Sequence, residues 1–170
     1  MRRRAKSVIN KLMKQLKKEI FLILHNIRSL HNVGSVFRTA DAAGVRKIYL
    51  TGYTPAPIDR FGKIRPKIRK TALGAEKFIE WKYYKNISAL VKNLKKEKKY
   101  LVGVEQSPKA IDYKNFRSRF PLALIFGNEV RGISPAILKK CDKIIEIPMF
   151  GKKESLNVSV AAGIILFSLK

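Results

Sequence analysis

Short apolar runs alternate with amphipathic stretches along this sequence, and this alternation restricts the fold more than any other feature. Residues 121–126 are apolar throughout, and residues 20–24 form a similar run. A strand that is apolar on both faces must be covered on both faces, as in a parallel sheet flanked by helices. The sequence therefore predicts a one-domain α/β fold with a mostly parallel sheet and helices on either side.

Hydrophobic spacing also predicts the order of the elements. We expect strands at 20–24, 47–51, 100–104, 121–126 and 143–147. Apolar residues at three- and four-residue spacing predict helices from Asn32 to Gly44, around 87–94, at 135–140 and at 156–169. The same spacing among Lys and Arg predicts a basic N-terminal helix at residues 1–19, ahead of the main domain at 20–170.

The charge of the chain points to a polyanionic partner. Thirty-seven Lys and Arg against twelve Asp and Glu leave a formal net charge of +25. Such a surplus attracts nucleic acid or an anionic membrane. A surface that is lysine-rich only for solubility would explain the Lys content, but it explains the cluster of Arg and Lys at 60–70 less well. That cluster lies among prolines and a glycine, so residues 52–70 predict a long basic loop.

No apolar stretch is long enough to span a bilayer, and the N-terminus lacks the pattern of a secretory signal. We therefore expect a cytoplasmic protein that binds nucleic acid and no membrane.

Polar residues follow three of the predicted strands, at the edge where ligands bind in open α/β sheets. After the first strand, Asn32 and Arg38 lie six residues apart, which is nearly two helical turns. Arg38 falls outside the buried stripe, where its guanidinium could hold a phosphate. Alternatively, Asn32 caps the helix and Arg38 is merely solvated.

The other two strand ends carry glycine, acidic and amide residues. Gly127 permits close approach of a ligand to the backbone, while Glu129 either pairs with an Arg or neutralises the first turn of the next helix. At the third end, Ser155 or Asn157 could cap the last helix. Backbone groups beside the small residues at 161–163 would suit an adenosine site, but spacing alone does not name the ligand.

Together these segments resemble, in order and spacing, the three motifs of the SpoU/TrmH-type branch of the SPOUT methyltransferases. The resemblance runs from about Ile20 to Leu169. It assigns catalytic roles to Asn32, Arg38, Glu129, Ser155 and Asn157. By the same analogy, S-adenosylmethionine would contact four residues: Gly127, Ile147, Met149 and Leu156.

The resemblance implies a fold and an activity that composition does not show. The sheet would end in a deep C-terminal trefoil knot, an exception to the rule of unknotted chains, and two copies would form a homodimer. The enzyme would methylate a ribose 2′-hydroxyl of RNA from S-adenosylmethionine, with no metal. Phosphates would contact the basic cluster of Arg60, Lys63, Arg65, Lys67, Arg69 and Lys70.

The family proposal makes Arg38 the base, but a guanidinium stays protonated in proteins. The alternative is that Arg38 binds the adjoining phosphate and stabilises the developing alkoxide. In that case Asn32 and Glu129 orient Arg38, and Ser155 and Asn157 position the ribose or the cofactor.

Transfer RNA is favoured over ribosomal RNA as the substrate, because the chain carries neither of the extra segments found in some relatives. Three rivals remain: a non-catalytic RNA-binding protein, a base methyltransferase and a small-molecule enzyme. A base methyltransferase would need a suitably placed Asp, whereas Asp41 and Asp142 belong to a helix and a strand flank. His25 and His31 are expected to be structural.

Overall fold

Seven strands form one parallel sheet in the computed structural model, which describes residues 18–169. The strand order is β3-β2-β1-β6-β4-β7-β5, and each neighbouring pair in it is parallel. The predicted α/β fold with its parallel sheet is confirmed. The strands are β1 (Ile20–His25), β2 (Lys47–Thr51), β3 (Glu80–Tyr84), β4 (Tyr100–Val104), β5 (Ile111–Asp112), β6 (Leu122–Phe126) and β7 (Lys143–Glu146).

Helices cover both faces of this sheet. Between residues 18 and 169, no helix is long and apolar enough to cross a membrane. The basic helix predicted at residues 1–19 falls outside the described residues, except for Lys18 and Glu19, which are not helical. The helices are α1 (Leu30–Ala42), α2 (Pro66–Ala72), α3 (Ile87–Lys96), α4 (Pro135–Leu138) and α5 (Val158–Ser168), with 3-10 turns at Ala75–Lys77 and Tyr113–Asn115.

Two hydrophobic cores lie on the two faces, and alternate residues of the central strands enter each. In β1, Leu22 and Leu24 pack with α1, α2 and α5, whereas Phe21 and Ile23 pack with α3 and α4. Strand β6 divides its side chains in the same way. These strands are apolar along their whole length because neither face meets water.

The two edge strands of the sheet, β3 and β5, were not predicted from the sequence. Strand β3 mixes charged and aromatic residues (EWKYY) and is partly exposed, so it shows no apolar run. Strand β5 has two residues and is too short to give a pattern. Helix α2 begins inside the predicted basic loop, at Pro66, whose fixed φ suits the first helical position, and it extends two residues beyond the loop.

The cap of one helix differs from the sequence-based prediction, and the cap of another agrees with it. Helix α1 begins at Leu30, and its cap is Ser29, whose Oγ accepts from Asn32 N at 3.2 Å. Asn32 therefore lies in the first turn and does not cap the helix as predicted. At α5 the cap is Asn157, one of the two predicted candidates, and its Oδ1 accepts from Ser159 N at 2.9 Å.

Helices α1 and α2 pack closely at Gly34. A Cβ at this position would lie 2.0 Å from Thr71 Oγ1 and 2.4 Å from Ile68 O. The Thr71 hydroxyl in turn donates to His31 O at 3.0 Å across the same interface. The contact therefore depends on the missing side chain, since α2 would have to move away to admit a methyl group.

We predict that Gly34→Ala lowers the free energy of unfolding by about 1–3 kcal/mol, because one methyl group overpacks the α1–α2 contact. Urea denaturation monitored by circular dichroism measures this loss. Gly151→Ala is the matched control, since a Cβ there meets nothing within 4 Å. Equal stability of the two variants would contradict the packing argument.

Candidate functional site

A cavity of about 290 Å³ opens at the carboxyl edge of the sheet, between the segments that follow β4, β6 and β7. Parallel strands bring their carboxyl ends to one edge, which explains why segments distant in sequence meet there. Glu129 and Ser155 line the cavity, and so do all four residues predicted to touch a cofactor: Gly127, Ile147, Met149 and Leu156.

The segment after β6 folds tightly on itself to form one wall. A Cβ at Gly127 would lie 2.4 Å from Gly132 C, so only glycine fits at position 127. The Asn128 side chain accepts hydrogen bonds from Val130 N at 2.9 Å and Arg131 N at 2.8 Å. Gly132 closes the turn with a φ of +62° and donates to Asn128 O at 2.9 Å. This geometry holds the cavity wall in one shape.

Glu105 is a cavity residue that the sequence analysis missed. Its carboxylate accepts from Ile133 N at 2.7 Å and from Gln106 N at 3.0 Å, and so ties the end of β4 to the segment after β6. The signal was available, because Glu105 is a polar residue directly after a predicted strand, like the residues that were singled out.

Glu129 binds the N-terminal end of α1. Its carboxylate accepts from Arg28 N at 3.2 Å and more weakly from Ser29 N at 3.5 Å and Asn32 Nδ2 at 3.4 Å. A negative charge is stabilised there by the free N–H groups and the dipole of the helix. The helix that Glu129 contacts is α1, far earlier in the chain than the helix predicted, and no ion pair found within residues 18–169 includes it.

Asn32 connects Glu129 with the last helix. Its Oδ1 accepts from Asn157 Nδ2 at 3.1 Å, while its own Nδ2 points to Glu129. Asn157 also caps α5, so the beginnings of α1 and α5 meet at these side chains. Asn32, Glu129 and Asn157, hereafter the amide cluster, therefore link three segments beside the cavity.

Arg38 lies apart from the amide cluster. It is exposed in a second groove with Lys70, Thr71 and Phe167, about 9 Å along α1 from Asn32. Among residues 18–169, Arg38 makes no side-chain hydrogen bond to Asn32 or Glu129. A single chain thus does not show the predicted orientation of Arg38 by those two residues.

His25 belongs to a second network behind the cavity wall. An amide nitrogen can only donate, so Asn26 Nδ2 donates to His25 Nε2 at 3.1 Å, and Nδ1–H donates to Thr51 Oγ1 at 2.8 Å. The Asn26 amide is oriented by its Oδ1, which accepts from Tyr53 N at 3.2 Å. The ring is therefore held neutral, and its burial lowers the pKa of His25 below the usual 6.5.

This network continues to the cavity wall through Asn128. The Asn128 amide donates to Tyr53 Oη at 2.8 Å and to Asn26 O at 3.0 Å. His25 thus supports the segment after β6, a structural role that agrees with the sequence-based expectation.

The basic cluster surrounds a small hairpin and α2. Ile58 and Ile64 form an antiparallel bridge within the segment predicted as a loop. No ion pair found in the described part of the chain involves the six cations of the cluster. Arg65 is half-buried, and the other five are exposed: Arg60, Lys63, Lys67, Arg69 and Lys70.

Comparisons with known proteins give one consistent family. The family model described as "SpoU rRNA Methylase family" matches residues 19–167. The 23S rRNA (guanosine-2'-O-)-methyltransferase RlmB of Blochmanniella floridana is 38% identical over 148 residues, which is 87% of this chain and 56% of that protein. A second curated relative, from Bacillus subtilis, is matched over 57% of its length. The chain thus spans somewhat more than half the length of the curated relatives it matches.

Solved structures share the fold. The A. aeolicus TrmH/SpoU tRNA modifying enzyme aligns with a TM-score of 0.77 and 29% identity, over 96% of this chain and 81% of that one. The SpoU methyltransferase AviRb from Streptomyces viridochromogenes, in complex with the cofactor AdoMet, aligns with a TM-score of 0.79 and 25% identity, over 89% of this chain and 57% of that one.

We predict that stability falls as the pH drops below the usual pKa of histidine. The folded state lowers the pKa of His25, so the unfolded chain binds this proton more readily, and the stabilisation present above pH 6.5 is lost below it. His25→Gln, which cannot be protonated, should therefore lose less unfolding free energy between pH 7.5 and 5 than the wild type in urea titrations. His31→Gln, at an exposed position on α1, is the control. Identical pH profiles for wild type and His25→Gln would refute this assignment.

Proposed function

The chain belongs to the SpoU rRNA Methylase family, and we propose that it transfers a methyl group from S-adenosylmethionine to a ribose 2′-hydroxyl of RNA. One observation carries the proposal. Residues from all three motifs meet at one cavity or directly beside it, although they lie as much as 125 positions apart in the chain. RlmB, a relative, is named as a guanosine-2'-O-methyltransferase, and AviRb is a relative solved with AdoMet.

The cavity lining suits this cofactor. Gly127 leaves backbone accessible, and Ile147, Met149 and Leu156 supply apolar contacts for an adenosine. Four carboxylates also line the cavity in a chain that is otherwise strongly cationic: Glu105, Glu129, Glu146 and Glu154. S-adenosylmethionine supplies an electrophilic methyl group on a sulfonium cation, whose charge these carboxylates complement.

The residues of the chain would act mainly by positioning. In-line transfer would require the ribose oxygen, the methyl carbon and the sulfur to be aligned. As the new C–O bond formed, the C–S bond would break with its electron pair going to sulfur, and the hydroxyl proton would pass to solvent. We assign the alignment of the ribose to Asn32, Ser155 and Asn157, with Glu129 holding Asn32. Ser155 and Asn157 are exposed at the cavity and beside it, where an RNA strand has access.

Arg38 is assigned to the phosphate next to the target ribose. Its exposed position near Lys70, apart from the amide cluster, supports a bidentate contact to the phosphate rather than to the ribose itself. A role as the base would require a neutral guanidinium, which proteins do not maintain.

We further propose a homodimer and a C-terminal trefoil knot. Helix α5 exposes Val160 (50%) and Phe167 (66%), and a second copy would cover them. The knot is supported by the path of the chain: β6 inserts between β1 and β4, β7 lies beyond β4, and α5 then returns to pack against α1.

Transfer RNA is the proposed substrate class, with a cytoplasmic location to match. Relatives are named for both kinds of RNA, and the A. aeolicus tRNA modifying enzyme, which aligns over 96% of this chain, supports this choice.

Labelled methyl transfer tests the activity. Purified protein, labelled S-adenosylmethionine and either transfer or ribosomal RNA should yield 2′-O-methylnucleosides after digestion. Arg38→Ala should lower the rate on the order of 100-fold, because the target ribose is no longer positioned through its adjoining phosphate. Arg46→Ala, an exposed arginine away from the cavity, is the control.

Three outcomes would count against this proposal. Label in a base would overturn the ribose mechanism, and no label on RNA that binds tightly would favour a binding protein. Near-normal turnover by Arg38→Lys would rule out bidentate phosphate binding.

Neutralising part of the basic cluster should flatten the salt dependence of RNA binding. For Lys63→Gln with Lys67→Gln, we expect the magnitude of the slope of log K against log salt to fall by about 1.4–1.8. Two phosphate contacts are lost, so binding releases fewer counterions. Lys92→Gln with Lys96→Gln removes the same charge from α3, outside the cluster. Equal changes in the slope for the two double variants would show that RNA binding depends only on the net charge and not on the basic cluster.

A further inference from the structure

The tip of the basic cluster is an ordered hairpin. Its strands are closed by Arg65 N, which donates to Pro57 O at 2.9 Å, and by Asp59 N, which donates to Lys63 O at 2.9 Å. The Asp59 carboxylate accepts from Phe61 N at 2.8 Å and Lys63 N at 2.9 Å, and Gly62 has a φ of +77°. Asp59 thus organises the turn and presents Arg60 and Phe61 at its end.

The aromatic ring at this tip, Phe61, is exposed to solvent. Phe61 is 72% exposed, and the Arg60 guanidinium carbon lies 4.7 Å from its ring centroid. Packing gives no reason for a phenylalanine here, since the ring contributes nothing to either core. A flat apolar ring beside a cation is the combination that binds the face of a nucleobase and its phosphate.

Both ends of the hairpin segment reach the proposed active site. On one side, the Tyr53 hydroxyl accepts from Asn128 in the cavity wall at 2.8 Å. On the other side, α2 follows directly, and its Lys70 and Thr71 share a groove with Arg38. The hairpin therefore projects from the edge where the RNA backbone would lie.

We propose that Phe61 stacks on an unpaired base of the RNA, while Arg60 and Lys63 hold the flanking phosphates. The inference rests on the proposed function, because it takes RNA as the substrate. The base must be unpaired, since stacking needs an open base face and the stacked pairs within an A-form helix offer none to a side chain. Phe61 would thus select RNA in which the target region is a loop.

The test is fluorescence anisotropy with two labelled RNAs, a stem-loop and a blunt duplex of the same stem. Phe61→Ala should weaken stem-loop binding on the order of tenfold, leave the salt slope unchanged because no phosphate contact is lost, and leave duplex binding unchanged. Phe61→Trp should restore affinity, and its added fluorescence should be quenched by the stem-loop alone, measured against the single native Trp81. Phe78→Ala, at a ring 81% exposed but outside the hairpin, is the matched control.

Two results would overturn the inference. One is that Phe61→Ala loses the same affinity for both RNAs, or loses affinity for neither. The other is unchanged RNA affinity with an altered sedimentation coefficient in Phe61→Ala, which would mean that the ring contacts a second copy of the chain.

Failure of the proposed function gives a different result. If no methyl transfer occurred but stem-loop binding depended on Phe61, the catalytic proposal would fall and the stacking would stand. If methyl transfer occurred and Phe61→Ala matched the wild type in stem-loop affinity, the stacking alone would fall.

Discussion

The Glu129 carboxylate at the beginning of α1 is the contact on which the arrangement of the site depends. It joins the segment after β6 to the free N–H groups of Arg28 and Ser29, and through Asn32 to Asn157 at the beginning of α5. One side chain thereby orients two helices and one cavity wall. Because a carboxylate shared by several donors has few alternative positions, the amide cluster is fixed before any ligand arrives.

The sequence was most informative where burial is complete. Strands β1 and β6 could be predicted because both of their faces are buried and their residues are therefore apolar. The edge strand β3 is partly exposed to solvent and has no regular apolar pattern. Motif residues were identified by resemblance, but their partners depend on tertiary contacts. No local pattern shows that Glu129 binds a helix a hundred residues earlier, or that Arg38 lies outside the cluster. Asn128 and Glu105 form the cavity wall through bonds to backbone that spacing does not reveal.

Charge is distributed in two opposing zones. The hairpin and α2 carry cations without ion-pair partners in the described part of the chain, while four of the twelve acidic residues line the cavity. A polyanion is attracted to the outer zone, and a small cation is favoured in the inner one. Anionic RNA and cationic S-adenosylmethionine, the two proposed substrates, would therefore be drawn to different zones by their charge before any specific contact forms.

The position of β6 in the sheet also determines when the protein can fold. Residues 122–126 fill the gap between β1 and β4, so the centre of the sheet stays open until these residues have been made. Until then β1 presents an unpaired apolar edge, a state prone to aggregation. The bond from Asn32 to Asn157 closes later still. The proposed site can therefore form only after residue 157 has been synthesised, and the nascent sheet is incomplete until β6 has been made.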